Sequence, residues 1–293
     1  MMTLLQLEVF VAVIEAGSFT RAGEKLRLSQ SGVSHTIAGM EEELGVSLLT
    51  RNRNGIRLTE AGEAILQYAR RILSDLEQIK QTAAAAKGLQ VGTLRIGSFP
   101  SVSAKLLPGM VRLFRDRYPG ITLSLFEGSY AEIQAWITQG AIDAAFLPYP
   151  TEGLEMIPLL KDELVAVLPL DHPLGQYSNL TMEQIAPEPF IMPMAGCELL
   201  VSESFKASDT KPNTQFEVAD TTTILSMVTE GLGLTMVPKM TLPASLPNLT
   251  IRSLTPQLFR HIGLAVRSFS SPTPAAAVFI KETKQWVAEH PMD

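Results

Sequence analysis

The chain has 293 residues, 46% of them hydrophobic, with a single cysteine and a net charge of −6. That size suits two or three domains with sizeable cores and leaves no room for an internal disulfide framework. Residues 1–90 hold 10 of the 24 basic and 10 of the 30 acidic side chains, so the whole deficit lies beyond residue 90. An architectural protein that merely coats nucleic acid is therefore excluded. No apolar run is long enough to span a bilayer. The apolar start lacks a basic leader and is broken by Glu8 and Glu15, so a cytoplasmic protein is expected.

From the amino terminus, Leu7, Phe10, Val11 and Ile14 form one helical stripe and Phe19, Ala22 and Leu26 a second. Gly17 is suited to end the first helix and Ser18 to cap the next. After a tight turn at Arg27 and Leu28, the stretch 29–44, SQSGVSHTIAGMEEEL, organises this part of the chain. Val33, Ile37, Met40 and Leu44 form its apolar stripe, and Ser29 is a ready N-cap. The opposite face of its first turns carries Ser31, Ser34, His35 and Ala38, with Glu41, Glu42 and Glu43 at the far end. A helix that enters a DNA major groove needs short hydrogen-bonding groups leading and carboxylates kept back from the phosphates. Residues 48–58, LLTRNRNGIRL, are two short extended runs around Asn54 and Gly55, a hairpin signal that carries Arg51, Arg53 and Arg57 and no acid. The simplest assembly is a winged helix-turn-helix. In it Gln30, Ser31, Ser34 and His35 face the major groove of double-stranded DNA, Arg51 and Arg53 face the backbone or minor groove, and Arg21, Lys25 and Arg27 add local charge. The plainer reading of His35 is a surface histidine.

Residues 59–87 read as one helix, roughly 43 Å long at 1.5 Å per residue. Ala61, Ile65, Tyr68, Ile72, Leu76, Ile79 and Ala83 recur along it at three and four residues, a continuous seam that favours pairing with a second copy. Beyond it, strands over 93–97, 121–126 and 142–147 alternate with helices over 104–117 and 130–138, which predicts a parallel sheet with right-handed crossovers. A second series has strands near 163–168, 190–192, 214–218 and 234–237 and a helix over 221–230. A strand over 262–266 and a last helix over 274–289 follow. Two α/β lobes are expected, the chain crossing near Leu164 and back near Val266. The domains are then 1–58, a linker helix 59–88, and 89–293, the last split into one lobe of 89–163 plus 267–293 and another of 164–266.

Open α/β sheets bind ligands at the carboxyl ends of their strands. Those ends carry Ser98, Phe99, Pro100 and Ser101, then Gly128 and Ser129, then Pro148, and in the second lobe Met194 to Cys197 and Asp220, Thr221 and Thr222. All but Pro148 lead into helix N-termini, which favour anions, so a modest carboxylate-bearing or otherwise anionic effector is expected. The plainer reading of each hydroxyl is an N-cap. Phe99, Met192, Met194 and Leu234 could line the cleft or belong to the cores. Gly231 and Gly233 do not complete a dinucleotide fingerprint. The four histidines, His35, His172, His261 and His290, stand at no metal-ligand spacing, and Cys197 has no resolving partner. No nucleophile elbow, phosphate loop or paired carboxylate appears, so neither an enzyme nor a cofactor or metal is expected.

The run 16–62 closely resembles the DNA-binding domain of LysR-type transcriptional regulators. Ala16-Gly17-Ser18-Phe19, Ser29-Gln30, Leu44-Gly45-Val46, Arg51 and Leu58-Thr59-Glu60-Ala61-Gly62 match at the family's spacing, and the resemblance extends over the whole chain. Ser31 replaces a common proline, Gly32 an alanine, His35 an arginine and Leu49 a phenylalanine, and Asn54 follows the wing's Arg53 where arginine is more usual. The operator sequence therefore cannot be carried over. The resemblance implies an α+β multidomain fold, with an N-terminal winged helix-turn-helix, a dimerising linker helix and a two-lobed effector domain similar to periplasmic binding proteins. It implies homodimers that often pair into tetramers, half-sites of an interrupted palindrome, and a small-molecule effector that closes the lobes and changes the DNA geometry. It places Ser98, Ser101, Ser129 and the segment from Thr222 to Leu234 near the effector, makes His172 structural, and leaves RNA polymerase open as a partner. The rival reading is a two-lobed solute-binding protein or enzyme with an appended helical domain.

Overall fold

The computed structural model describes residues 2–52, 55–87, 90–270 and 272–290. The chain opens with α1 (Leu4–Ala16), α2 (Phe19–Leu26) and α3 (Gln30–Leu44), followed by the antiparallel hairpin β1 (Leu49–Asn52) and β2 (Gly55–Leu58). Side-chain caps set the helix starts. Ser18 Oγ accepts from Arg21 N at 3.4 Å and Ser29 Oγ from Gly32 N at 3.0 Å, while Gly17 ends α1 in the left-handed region at φ 59°. Val33, Ile37 and Met40 are buried with Phe10, Val13, Ala22 and Leu48 in one core. Leu44, expected on that stripe, is instead 36% exposed. It is the last residue before the left-handed cap at Gly45, where the helix has run past the small core.

The linker helix α4 (Glu60–Ala85) is capped by Thr59, whose Oγ1 accepts from Gly62 N at 3.0 Å. Gly62 lies against the hairpin, where an added Cβ would stand 2.1 Å from Leu48 O. Leu66 and Ala69 of α4 join the first core, and Ser74 and Gln81 are buried further along. Tyr68, Ile72 and Ile79, from the expected seam, are 67%, 40% and 66% exposed.

The larger part begins with β3 (Gly92–Ser98), α5 (Pro100–Lys105), α6 (Leu107–Arg117), β4 (Ile121–Glu127), α7 (Tyr130–Thr138) and β5 (Ala144–Pro148). The expected helix over 104–117 is thus two helices. Pro108 lacks the N–H that would bond to the Ala104 carbonyl, and the run breaks there. β3 lies between β4 and β5 and is parallel to both. Next comes β6 (Glu155–Pro169), whose long antiparallel partner is β11 (Leu249–Val266). Between them in sequence lie β7 (Asn179–Leu180), α8 (Met182–Ile185), β8 (Pro189–Pro193), α9 (Glu198–Ala207), β9 (Asn213–Val218), α10 (Thr221–Thr229) and β10 (Thr235–Pro238). The chain closes with α11 (Pro274–Glu289), packed on the first lobe through Phe279 and Trp286.

β6 and β11 run through both lobes, giving the order β10-β6-β11-β5-β3-β4. Ile262–Val266 pair with Pro148–Ala144 in the first lobe, so the return crossing falls before Ile262 rather than near Val266. The polar Asp162 and Arg260 interrupt the apolar pattern at the crossing, which is why only the ends of these strands stood out as strands. Helix α9 was expected only as a helix start after Cys197, without bounds; with Ser204 at one of its three buried positions, its apolar stripe is short. Among the described residues no helix is long and apolar enough to cross a membrane.

Candidate functional site

The first turns of α3 present Gln30, Ser31, His35 and Ala38 exposed and Ser34 half-buried, away from the Val33, Ile37 and Met40 stripe. Ser31 Oγ stands 3.0 Å from the capping Ser29 Oγ. Sequence reasoning missed Glu41, which it grouped with the acids at the far end. Its Oε1 accepts from Leu48 N at 2.6 Å and Leu49 N at 3.1 Å, which ties the hairpin to α3. The available signal was an unfavourable one. A carboxylate in the C-terminal half of a helix opposes the helix dipole and needs another partner. Arg57 is exposed on β2; the Arg51 side chain and all of Arg53 lie outside the described residues. Lys25 pairs with Glu15 at 2.8 Å, which removes it from the basic cluster expected with Arg21 and Arg27.

Between the lobes lies a cavity of about 650 Å³. Of the strand-end residues expected there, Phe99, Pro100, Ser101, Ala195, Cys197, Asp220, Thr221 and Thr222 line it. Ser98 lies beneath, 1% exposed, with its Oγ 2.7 Å from Ser103 Oγ. Leu234 belongs to the second lobe's core. Ser129 caps α7, the Pro148 carbonyl accepts from Thr151 Oγ1, and Met194 is 43% exposed; none of these three lines the cavity.

Among the wall residues that sequence reasoning did not find, Arg260 is the most connected and is 7% exposed. Its Nη1 donates to Tyr130 Oη at 2.8 Å, and its Nη2 donates to Ser101 Oγ at 2.9 Å and Asp162 Oδ2 at 2.5 Å. The guanidinium carbon lies 4.8 Å from the Phe99 ring centroid, a cation–π stack. Asp162 Oδ1 also accepts from Met240 N at 3.0 Å. Burial pushes the Asp162 carboxyl above its ordinary range, with Arg260 the main influence against it. Burial likewise pushes the Cys197 thiol up to about 11. The hub joins α5 and α7 of the first lobe to both crossing strands.

Two helix N-termini, those of α10 and α7, already hold a carboxylate of their own. Asp220 Oδ2 accepts from the side chain and backbone of Thr223, both at 2.7 Å, and these bonds hold its pKa below the usual range. Glu132 accepts from Ser129 N at 2.8 Å and Oγ at 2.7 Å at the start of α7, with the same effect on its pKa. Beside the start of α9, Glu198 accepts from Gly196 N at 2.7 Å. The dipoles of α7 and α10 are thus met from within the chain. The cations near the cavity are Arg260, balanced by Asp162, and the exposed Lys105.

Residues 4–63 match the model of the bacterial regulatory helix-turn-helix protein, lysR family, and residues 87–288 that of the LysR substrate binding domain. The chain is 40% identical over 287 residues to the uncharacterized HTH-type transcriptional regulator YvbU of Bacillus subtilis, covering 97% of this chain and 98% of that one. It is 36% identical over 291 residues to the probable HTH-type transcriptional regulator LrrA of Synechococcus elongatus, covering 98% of each. Among solved structures, a full-length OxyR variant from Pseudomonas aeruginosa superposes with a TM-score of 0.78 at 23% identity, covering 98% of this chain and 95% of that one. Full-length BenM superposes with a TM-score of 0.61 at 27% identity, covering 98% and 96%. The chain belongs to the LysR family of DNA-binding transcriptional regulators, not to an enzyme family, and is built as an N-terminal helix-turn-helix, a helical linker and a C-terminal effector-binding domain.

Proposed function

We propose that this regulator is a cytoplasmic homodimer, able to pair further into tetramers, whose DNA geometry is switched by a small carboxylate-bearing effector in the interlobe cavity. In this reading α3 sits in the major groove with Gln30, Ser31, Ser34 and His35 at base edges or phosphates, and Arg51 and Arg53 contact the backbone or minor groove of an interrupted palindrome. The exposed seam of Tyr68, Ile72 and Ile79 on α4 supports pairing of two chains. The observation that carries the effector reading is Arg260. It stands in the cavity wall on a strand shared by both lobes and binds first-lobe residues, so a molecule seated beside it touches the joint on which closure depends. The self-capped helix N-termini move the expected anion contact to Ser101 Oγ and Lys105, with Thr222 and Cys197 across the cavity. To switch such an equilibrium nearly completely, the effector must prefer one state by about 5.5 kcal/mol.

The test is thermal stabilisation of the full chain by a panel of mono- and dicarboxylates and of amines, read beside gel-shift patterns on operator DNA. Carboxylates should raise the melting temperature and change the mobility of the complex, and Ser101→Ala should abolish both effects. Stabilisation by amines alone overturns the anionic effector; stabilisation without any change on DNA overturns the switch.

A further inference from the structure

We propose a second small-molecule site in a groove that adjoins the interlobe cavity, built for a multiply charged anion with an apolar body, such as a phosphorylated ring compound. In the register of β6 against β11, Lys161 faces His261, Asp162 faces Arg260 and Glu163 faces Phe259. Directly opposed residues of an antiparallel pair share a face and neighbours alternate. The Asp162–Arg260 pair therefore points to the hub beside the effector cavity, and Lys161, Glu163, Phe259 and His261 point the other way. Lys161, Glu163 and Phe259 line a groove of about 350 Å³ that adjoins the interlobe cavity: Lys105, Met240, Leu242 and Pro243 stand in the walls of both, and Lys239 and Ile251 complete the groove.

The groove's charge is out of keeping with its surroundings. Residues 91–293 carry 14 basic and 20 acidic side chains, yet three lysines converge here. Against them stand Glu163 and Asp162, and Asp162 is already paired with Arg260. That leaves a net excess of two positive charges around one small volume. None of the three lysines forms an ion pair among the described residues, although exposed lysines elsewhere in the chain do, as Lys25 does with Glu15. The lysine charges are thus available to a ligand. Phe259 is 37% exposed, with Lys161 Nζ 5.9 Å from its ring centroid, and Ile251 and Leu242 continue the apolar surface. Cations at the rim around an aromatic and aliphatic floor suit a ligand with two parts, a charged group held by the lysines and a ring laid over Phe259. The groove shares Lys105 with the effector cavity, whereas Lys161, Lys239, Phe259 and Ile251 line the groove and not the cavity, and the test below is placed on those.

Phenyl phosphate is the probe, titrated into the full chain by calorimetry, with inorganic phosphate as the arm that lacks a ring. The site should bind phenyl phosphate more tightly than phosphate. Lys161→Ala with Lys239→Ala, both exposed and outside any core, should weaken phenyl phosphate by about tenfold, the loss expected from two partly screened charge contacts. Lys80→Ala, the loss of one lysine charge on the linker helix, should leave the affinity unaltered. Phosphate binding as tightly as phenyl phosphate, or Lys80→Ala weakening binding as much as the groove variant, overturns the proposal. So does a phenyl phosphate affinity that survives the double substitution but is lost with Ser101→Ala or Arg57→Ala, because the probe then sits in the effector cavity or on the DNA-binding domain.

Discussion

Replacing Arg260 by methionine keeps the length and apolar stem of the side chain and deletes the guanidinium. Tyr130 and Ser101 each lose a donor, and Asp162, 3% exposed, is left with the single Met240 N–H at 3.0 Å. Removing one partner of a buried ion pair costs about 3–5 kcal/mol, mostly the penalty of the charge left behind. In a domain of about 200 residues that is roughly 6–20 °C of melting temperature. The pH dependence has a definite sign. Burial already raises the Asp162 carboxyl, and Arg260 is the main influence opposing the rise. Without Arg260 the folded value climbs further above the unfolded one, so the folded state binds the proton more tightly. Stability is then highest at low pH and is lost as pH rises through the folded value. The deficit of Arg260→Met should therefore be largest near neutral pH and shrink towards the ordinary carboxylate range at about pH 4. Adding Asp162→Asn removes the stranded charge and should recover much of the loss near neutrality while abolishing the extra pH dependence. Urea and thermal unfolding of the wild type, both single variants and the double variant at about pH 7.5 and about pH 5.5 measure this cycle. A cost below about 1 kcal/mol for Arg260→Met, equal at both pH values, refutes a buried hub that holds the lobes together.

Other expectations concern the DNA-binding unit, the linker and the thiol. Glu41→Ala deletes two charge-assisted bonds to the hairpin and should cost about 1–3 kcal/mol, with faster hydrogen exchange at the Leu48 and Leu49 amides; unchanged exchange there would sink the assignment. Gln30→Ala should relax base preference at one operator position at a cost of about 1–3 kcal/mol, whereas Arg57→Ala should weaken all sequences alike and lower the salt slope. A binding-site selection that returns the same preferred sequence for Gln30→Ala contradicts the placement of α3 in the groove. Ile79→Glu puts a charge in the exposed seam of α4 and should shift sedimentation towards a monomer; an unchanged mass means the chains pair elsewhere. Cys197, with its thiol pushed up to about 11, is about one part in ten thousand thiolate at neutral pH. Hydrogen peroxide should leave both its mass and DNA binding unchanged, and rapid addition of oxygen at Cys197 would show an activation that the resting geometry lacks.

What was legible in the sequence is what local chemistry decides. The bounds of α3, α7 and α11 follow from Ser29, Ser129 and Thr273 as caps and from apolar residues at helical spacing. What was not legible depends on register. Arg260 and Asp162 are 98 residues apart and read alone as two charges in two strands. Only the pairing of β6 with β11 brings them together. Strand-end positions such as Ser101 and Thr222 line the interlobe cavity, yet Ser98 turned inward, because the rule names positions and not the direction of a side chain. Asp220 shows the same limit from the other side. A residue read as part of an anion-binding helix start supplies the anion itself.

The joint between linker and effector domain completes the picture. Ser74 of α4 accepts from Arg95 at 3.4 Å and from Arg267 at 2.6 Å, and Arg95 is paired with Asp143 at 2.8 Å. Gln81 Nε2 donates to Thr93 O at 3.0 Å, and Arg70 Nη1 donates to Gln139 Oε1 at 2.8 Å. Every lobe residue in this set belongs to the first lobe, so that lobe and α4 are bound as one body from Arg70 to Gln81. The second lobe is tied to the first by the two crossing strands and the Arg260 hub. On the proposed reading, closure of the cavity therefore moves the second lobe against a body already fixed to the linker. On that same reading, a ligand acting at Arg260 would alter the surface that the second lobe offers to a neighbouring chain, while the grip of α4 on its own domain would stay unchanged.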